Sequence, residues 1–277
     1  MRVAIATCRG DNVDVDSPVL LEALERAGVS AELCVWDDDG VDWESFDLTV
    51  LRSTWDYARQ RDRFLAWAKL CPALLNPYDV IAYSSDKHYL ADLEAKGIAT
   101  VPSHFCEVGE TPVFPTGAFV VKPAVGAGSI DAERYSRGDV ERASAHVARL
   151  HDAGRSVLIQ PYVPTVDYFG EHAVIFIDGT YSHAMNKGAM LNTPADVRDA
   201  LFRREQMRRD DTEPEALAIA EQILADFGDL LYARVDFVAA PSGWQVMELE
   251  LVEPSLFLTF EPSAADRLAN AIRRRLA

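Results

Sequence analysis

The chain has 277 residues, 49% of them hydrophobic, and a formal net charge of −17. So acidic a chain excludes nucleic acid or an anionic membrane as a partner held by a broad basic face, although a local positive pocket can still take phosphate. No apolar run reaches the roughly 20 residues of a membrane span. The apolar start at Met1 to Thr7 is too short for a signal peptide, and Cys8, Cys34, Cys71 and Cys106 are scattered with no C-x-x-C, as expected of reduced thiols in the cytoplasm.

Taken in chain order, Arg2 to Thr7 reads as a strand and Ser17-Pro18 as a helix start, with the helix closing at Gly28. Ala31 to Trp36 and Asp47 to Leu51 are the next strands, so the opening predicts a small parallel sheet with right-handed crossovers. A helix over Asp62 to Leu70 is followed by a break at Asn76-Pro77, and one helix from Ser84 or Ser85 to Gly97 carries Lys87. Phe119 to Lys122 and Val157 to Gln160 read as strands on either side of a helix over Asp139 to Ala153. Ala173 to Ile177 and Tyr181 to Met185 form a hairpin that turns at Asp178-Gly179. Gly188 to Asp211 is charged and weakly patterned, and reads as a mobile excursion. Glu213-Pro214 opens a helix that ends near Gly228, a second hairpin follows, and a basic helix from Ala264 to Leu276 closes the chain. The fold class is α/β, with an N-terminal parallel-sheet unit over 1–82 and two further units over 83–165 and 166–277.

The second hairpin carries the densest chemistry. Tyr232 to Val238 and Met247 to Leu251 alternate with period two about a turn at Ala239 to Gly243. Arg234 and Asp236 therefore share a face, as do Glu248 and Glu250, while Val235, Phe237, Met247, Leu249 and Leu251 point to the core. If the hairpin closes near Ser242, Asp236 lies opposite Glu248, and like charges across a ladder call for a cation between them. Asp236, Glu248 and Glu250 suit a hard divalent ion, Mg²⁺ with phosphate as co-ligand. The competing reading is a solvated face on which Arg234 pairs with Glu250.

Phe119 to Ser129 joins a strand bearing Lys122 to a loop with Gly126 and Gly128, where backbone amides can approach an anion. The spacing is neither that of a Walker loop nor that of a dinucleotide fingerprint. Gln160 to Pro164 is a strand edge broken by two prolines, either a simple strand exit or a place for the edge of a purine. Ligands of open α/β sheets gather beyond the carboxyl ends of the strands. Two loops qualify there: Cys8 to Ser17, with Asp14, Asp16 and Ser17, and Arg52 to Tyr57. In the second, Arg52 offers a clamp for a carboxylate and Asp56 a partner for an ammonium, with Thr54 between aromatic walls formed by Trp55 and Tyr57. For any one of these residues an ordinary surface loop is the alternative.

The order K-P-x-x-G-x-G-S at Lys122, Q-P-Y-V-P at Gln160, R-V-D at Arg234 and E-L-E-L-V-E-P-S at Glu248 resembles the ATP-grasp superfamily, nearest its bacterial glutathione synthetases. That resemblance covers Tyr83 to the C-terminus. It implies two subdomains clamping ATP behind the N-terminal unit. Lys87, in Ser85-Asp-Lys-His88, and Lys122 would hold the phosphates, with Gly126, Gly128 and Ser129 as the phosphate loop. Gln160, Tyr162 and Val163 would form the adenine hinge and Asp167 a ribose contact, with Asp236, Glu248 and Glu250 on Mg²⁺. The superfamily commonly has Asn where Glu250 stands, and an Arg near Asn186-Lys187, so Lys187 or Arg234 would take that catalytic charge. Adding Asp14-x-Asp16-Ser17-Pro18, R-S-T-W-D-Y and Ser255, the whole chain resembles the branch that holds the O-ureido-D-serine cyclo-ligase of D-cycloserine biosynthesis.

The resemblance implies an ATP-dependent carboxylate–amine ligase working through an acyl phosphate. In an intramolecular cyclisation no acid–base residue is obligatory; His172 and His183 are candidate helpers, although a lone His on a strand is more often structural. Its partner is a small amino-acid-like molecule, neither nucleic acid nor membrane, and a homo-oligomer stays open. An intermolecular ligase, a kinase and a nucleotide-binding protein without turnover are the alternatives.

Overall fold

In the computed structural model, which describes residues 1–10, 14–189 and 207–276, the N-terminal sheet grows from an apolar strand. That strand, β1 (Arg2–Thr7), buries Val3 and Ile5 on one face and Ala4 and Ala6 on the other. It lies parallel to β2 (Ser30–Val35) and β3 (Leu48–Ser53), and β4 (Leu74–Leu75) completes the order β2-β1-β3-β4. Every residue of β3 is buried, as befits a parallel strand covered on both faces. Helix α1 (Asp16–Arg26) crosses from β1 to β2, and Gly28 turns the chain back at φ +76°. Helix α2 (Arg61–Leu70) follows β3.

The single helix expected across Lys87 is two, α3 (Tyr78–Ser84) and α4 (Tyr89–Ala95). Lys87 sits in the turn between them, and its amide donates to the Ala124 carbonyl at 2.9 Å. A tie to the loop after a neighbouring strand thus takes the amide that a continuous helix would have used.

The middle unit is an antiparallel sheet of order β5-β8-β6-β7, from β5 (His104–Cys106), β6 (Phe119–Pro123), β7 (Glu133–Tyr135) and β8 (Val157–Pro161). Helix α5 (Val140–Asp152) covers it, sinking Val147 and Leu150 among Phe119, Val121 and Ile159. Strands of three residues, such as β5 and β7, are too short to leave a period in the sequence.

After the short α6 (Val166–Phe169), the third sheet has the order β11-β10-β9-β12-β13. Its strands are β9 (Glu171–Ile177), β10 (Thr180–Lys187), β11 (Met207–Asp210), β12 (Tyr232–Ala240) and β13 (Gly243–Glu250). Helix α7 (Pro214–Leu224) precedes β12, and α8 (Pro262–Arg275) ends the fold. Of the excursion expected over 188–211, residues 190–206 lie outside the described residues. Its end is not irregular, however: β11 pairs with β10, Met207 opposite Lys187.

One core joins the first and third sheets. Val3, Ile5 and Leu24 share it with Ile175, Leu268 and Ile272. Polar side chains stitch the same seam. The buried Asn76 donates to the carbonyls of Tyr232 at 3.0 Å and Leu251 at 2.8 Å, and accepts from the Leu231 amide at 2.8 Å. The outer edge of β13 is closed by Ser84, which donates to the Leu249 carbonyl at 3.0 Å and accepts from the Leu251 amide at 3.1 Å. The Tyr89 hydroxyl accepts from the Leu249 amide at 3.0 Å. An edge strand left open would be a liability, and here it is fixed in place.

Two expectations follow. Asn76→Ala strands a buried amide and two carbonyls, and should lower the unfolding free energy by about 2–4 kcal/mol in urea melts; a loss below about 1 kcal/mol would contradict this role. His183, buried on β10, donates from Nε2 to the Leu256 carbonyl at 3.0 Å and so accepts from the Ser182 hydroxyl at Nδ1, 2.9 Å away. Burial pushes its pKa down to about 4, the Leu256 carbonyl opposing. Between that value and the ordinary one near 6.5, the unfolded chain binds a proton that the folded one refuses, so this contribution is present at neutral pH and lost as pH falls. Between pH 7.5 and 4.5 wild type should lose about 2 kcal/mol more stability than His183→Gln. Equal losses in the two proteins would show that His183 does not stay neutral.

Candidate active site

The β12–β13 register sets Arg234 opposite Glu250 and Asp236 opposite Glu248, the pairing expected from the alternation. A bulge between Asp236 and Phe237 inserts one extra residue, so Phe237 faces Val246. This turns Met247, expected in the core, half-buried toward the cleft beside Glu248.

Ligand oxygens of Asp236, Glu248 and Glu250 lie within 4.8 Å of one another. The face is not simply solvated, because Asp236 has no exposed surface. Lys187 Nζ stands 2.6 Å from its Oδ2, Arg234 Nη2 3.0 Å from the same oxygen, and Arg234 Nε 2.9 Å from Oδ1. Arg234 also bonds Glu250, and its Nη1 donates to the Ser255 carbonyl at 3.0 Å. Lys187 reaches back to Glu171 at 2.8 Å. Glu248 receives Lys122 at 3.0 Å, with Lys87 at 3.9 Å.

Burial works to raise all three carboxyl pKa values. At Asp236 the charges of Arg234 and Lys187 win, and at Glu248 those of Lys122 and Lys87, so both stand below the ordinary range. At Glu250, burial with Asp236 and Glu248 alongside outweighs Arg234, and the pKa is pushed up to about 8. Of the three, Glu250 is the carboxylate its surroundings hold least firmly in the ionised form. Three convergent carboxylate oxygens fit a hard divalent ion such as magnesium.

Glu248 and Glu250 line a cleft of about 210 Å³, and Asp236 lies enclosed beneath them. Lys122 on β6 and the loop after it form the opposite wall. Lys87 Nζ donates to the Gly126 carbonyl at 2.8 Å, so the lysine between the two helices holds that loop. Gly128 and Ser129 take φ +62° and +60°, a region that glycine enters freely. Gln160, Tyr162 and Val163 line the far end. There the Tyr162 amide already donates to the Ala118 carbonyl at 2.8 Å, and Gln160 Nε2 donates to Ser103 at 2.9 Å. Asp167 stands outside the lining, where it accepts from the Tyr162 hydroxyl, and Arg134 lies over the Tyr162 ring 3.5 Å from its centre.

Of the residues expected on the substrate side, Trp55, Tyr57 and Ser255 line the cleft. Asp14, Asp16, Ser17, Arg52, Thr54 and Asp56 do not. Arg52 is fully enclosed, 3.6 Å from Asp14 and 3.8 Å from Asp16, and packs over the Tyr232 ring. Ser17 donates to Asp14 at 3.3 Å, and Asp16 accepts the amides of Leu256 at 3.0 Å and Thr259 at 3.3 Å. Asp56 accepts from the Trp36 indole at 2.7 Å. These side chains knit the wall behind the cleft rather than face it.

Three cleft residues had escaped notice. Glu171 opens β9 like any polar strand end. Glu253 and Phe257 belong to the loop 251–261 after β13, where only the E-P-S triplet hinted at more than a turn.

The model of the D-cycloserine synthetase DcsG N-terminal domain matches residues 3–76. The cycloserine biosynthesis protein DcsG of Streptomyces lavendulae is 39% identical over 283 aligned positions, 95% of each chain. The crystal structure of D-cycloserine synthetase DcsG superposes with TM-score 0.89 at 36% identity, covering 100% of both chains. The D-alanine–D-alanine ligase of Bacillus anthracis, solved in complex with ATP, has TM-score 0.70 at 14% identity over 100% of this chain and 97% of its own, and shares the fold. The chain belongs to the D-cycloserine synthetase family of ATP-grasp ligases.

Proposed function

We propose that this protein is an ATP-dependent cyclo-ligase that closes O-ureido-D-serine to D-cycloserine, releasing ADP and phosphate. The observation that carries the reading is the meeting of Lys87, Lys122, Glu248 and Glu250 in a single cleft lined by a Gly-rich loop, with Asp236 converging on the two glutamates from beneath. Family membership supplies the substrate class. No described helix is long and apolar enough to cross a membrane, and the cytoplasm is the proposed compartment.

Lys87 and Lys122 both pair with Glu248. In the proposed reaction they exchange that carboxylate for the triphosphate and stabilise the transferring phosphoryl group. Magnesium held by Asp236, Glu248 and Glu250 would neutralise phosphate oxygens during the transfer. Arg234 and Lys187 keep Asp236 ionised, and both line the cleft in which the substrate carboxylate would become the acyl phosphate. The loop from Ala124 to Ile130 closes over this intermediate and excludes water. The oxygen-bound ureido nitrogen then attacks the acyl carbon and phosphate leaves. Cycloserine carries no carbamoyl group, so that group departs afterwards with water as carbon dioxide and ammonia. Holding both ends of one molecule in attack geometry supplies roughly 7–11 kcal/mol of the barrier reduction.

Phosphate release from ATP should follow O-ureido-D-serine alone, with D-cycloserine formed in equal amount. Release that appears only on mixing two amino acids would select an intermolecular ligase instead. Glu248→Gln should cut turnover by roughly 10²–10³-fold and leave the urea midpoint near that of wild type. Activity within fivefold of wild type would remove Glu248 from the machinery.

A further inference from the structure

Each carboxylate discussed on the cleft wall is satisfied, with one exception. Glu171 pairs with Lys187, Glu248 with Lys122, and Glu250 with Arg234. Glu253 lines the same cleft at 7% exposure, and among the described residues no cation pairs with its carboxylate, which is held only by its own backbone amide. An isolated buried carboxyl is costly to keep. A folded protein retains one where a ligand brings the missing partner.

The surroundings define that partner. Trp55 and Tyr57 line the cleft with Glu253, both nearly enclosed, and aromatic faces attract a cation. The Trp55 indole donates to the Glu253 carbonyl at 3.2 Å, which fixes the backbone from which the carboxylate projects. Burial pushes the Glu253 carboxyl up to about 7, with Lys87 pulling the other way. Asp56, the acid the sequence offered for an ammonium, is committed to Trp36.

We propose that Glu253 anchors the α-ammonium of the amino-acid substrate, with Trp55 and Tyr57 as the aromatic walls of that subsite. The assignment rests on the cyclo-ligase reading and names how the same cleft recognises its substrate. Glu253 lies three positions after Glu250, a span of at most about 10 Å of chain. The ammonium and carboxylate of an α-amino acid share one carbon, so their two anchors must stand this close.

The test is calorimetric titration of the ADP–magnesium-loaded protein with O-ureido-D-serine and with its desamino counterpart, 3-(ureidooxy)propanoate. D-serine and 3-hydroxypropanoate form a second such pair. Wild type should bind the amino member roughly 10- to 100-fold more tightly. Glu253→Gln should erase that preference while ADP affinity, measured first in the same cell, is unchanged, and Glu253→Asp should keep part of it. A preference under threefold in wild type for both pairs, or one preserved in Glu253→Gln, overturns the assignment. Wild type that releases no phosphate with O-ureido-D-serine, yet shows a D-serine preference that Glu253→Gln abolishes, sinks the cyclo-ligase reading and leaves the ammonium anchor standing.

Discussion

A carboxylate with no exposed surface stays ionised only if cations are built around it, and Asp236 is such a group. Its partners come from two strands that are not neighbours. Arg234 lies two residues away on β12, while Lys187 ends β10 and must reach across β9. On that intervening strand the residues opposite Lys187 and Asp236 are Glu171 and Ala173. Glu171 takes the lysine's other hydrogen bond, and Ala173 is too small to stand in its path. The sheet order, the bulge after Asp236 and the small residue on β9 are therefore parts of one solution, which is to hold a buried acid charged at the floor of a cleft.

The period-two alternation of the β12–β13 hairpin made Asp236 opposite Glu248 legible, because register there is set locally by a short turn and a buried face. The Gly-rich loop and Lys122 were legible for the same reason: strand, lysine and glycines are contiguous. What depended on distant partners was not. Lys87 looked helical until the carbonyl of Ala124, in a distant loop, claimed its amide. Met247 kept its place in the alternation until the bulge moved it. Arg52 had the composition of a ligand clamp, yet two aspartates enclose it, and nothing in a hexapeptide reveals that Asp14 and Asp16 fold onto it.

The motifs of the N-terminal unit act through the loop after β13. Asp16 accepts its amides at Leu256 and Thr259, His183 donates to its Leu256 carbonyl, Arg234 to its Ser255 carbonyl and Trp55 to its Glu253 carbonyl. Four elements from separate parts of the chain thus fix one segment that has no regular structure of its own. A loop left to itself would place Glu253 and Phe257 loosely. Tied at these points, it can hold side chains to the tolerance a reacting centre needs. The matched N-terminal segment, residues 3–76, contributes the rear wall of the site more than its contact surface.

Charge balance then links nucleotide to metal in the proposed reaction. Asp236, Glu248 and Glu250 face Lys87, Lys122, Lys187 and Arg234, and burial still pushes Glu250 toward its neutral form. In the proposed reaction a triphosphate that recruits Lys87 and Lys122 takes two cations from Glu248, and magnesium would supply the positive partner that replaces them. Arg234 and Lys187 would stay with Asp236, which has no exposed surface. The division of labour among the four cations is thus set by which carboxylate each one touches, two being exchangeable because Glu248 is partly open to the cleft, and two fixed because Asp236 is not.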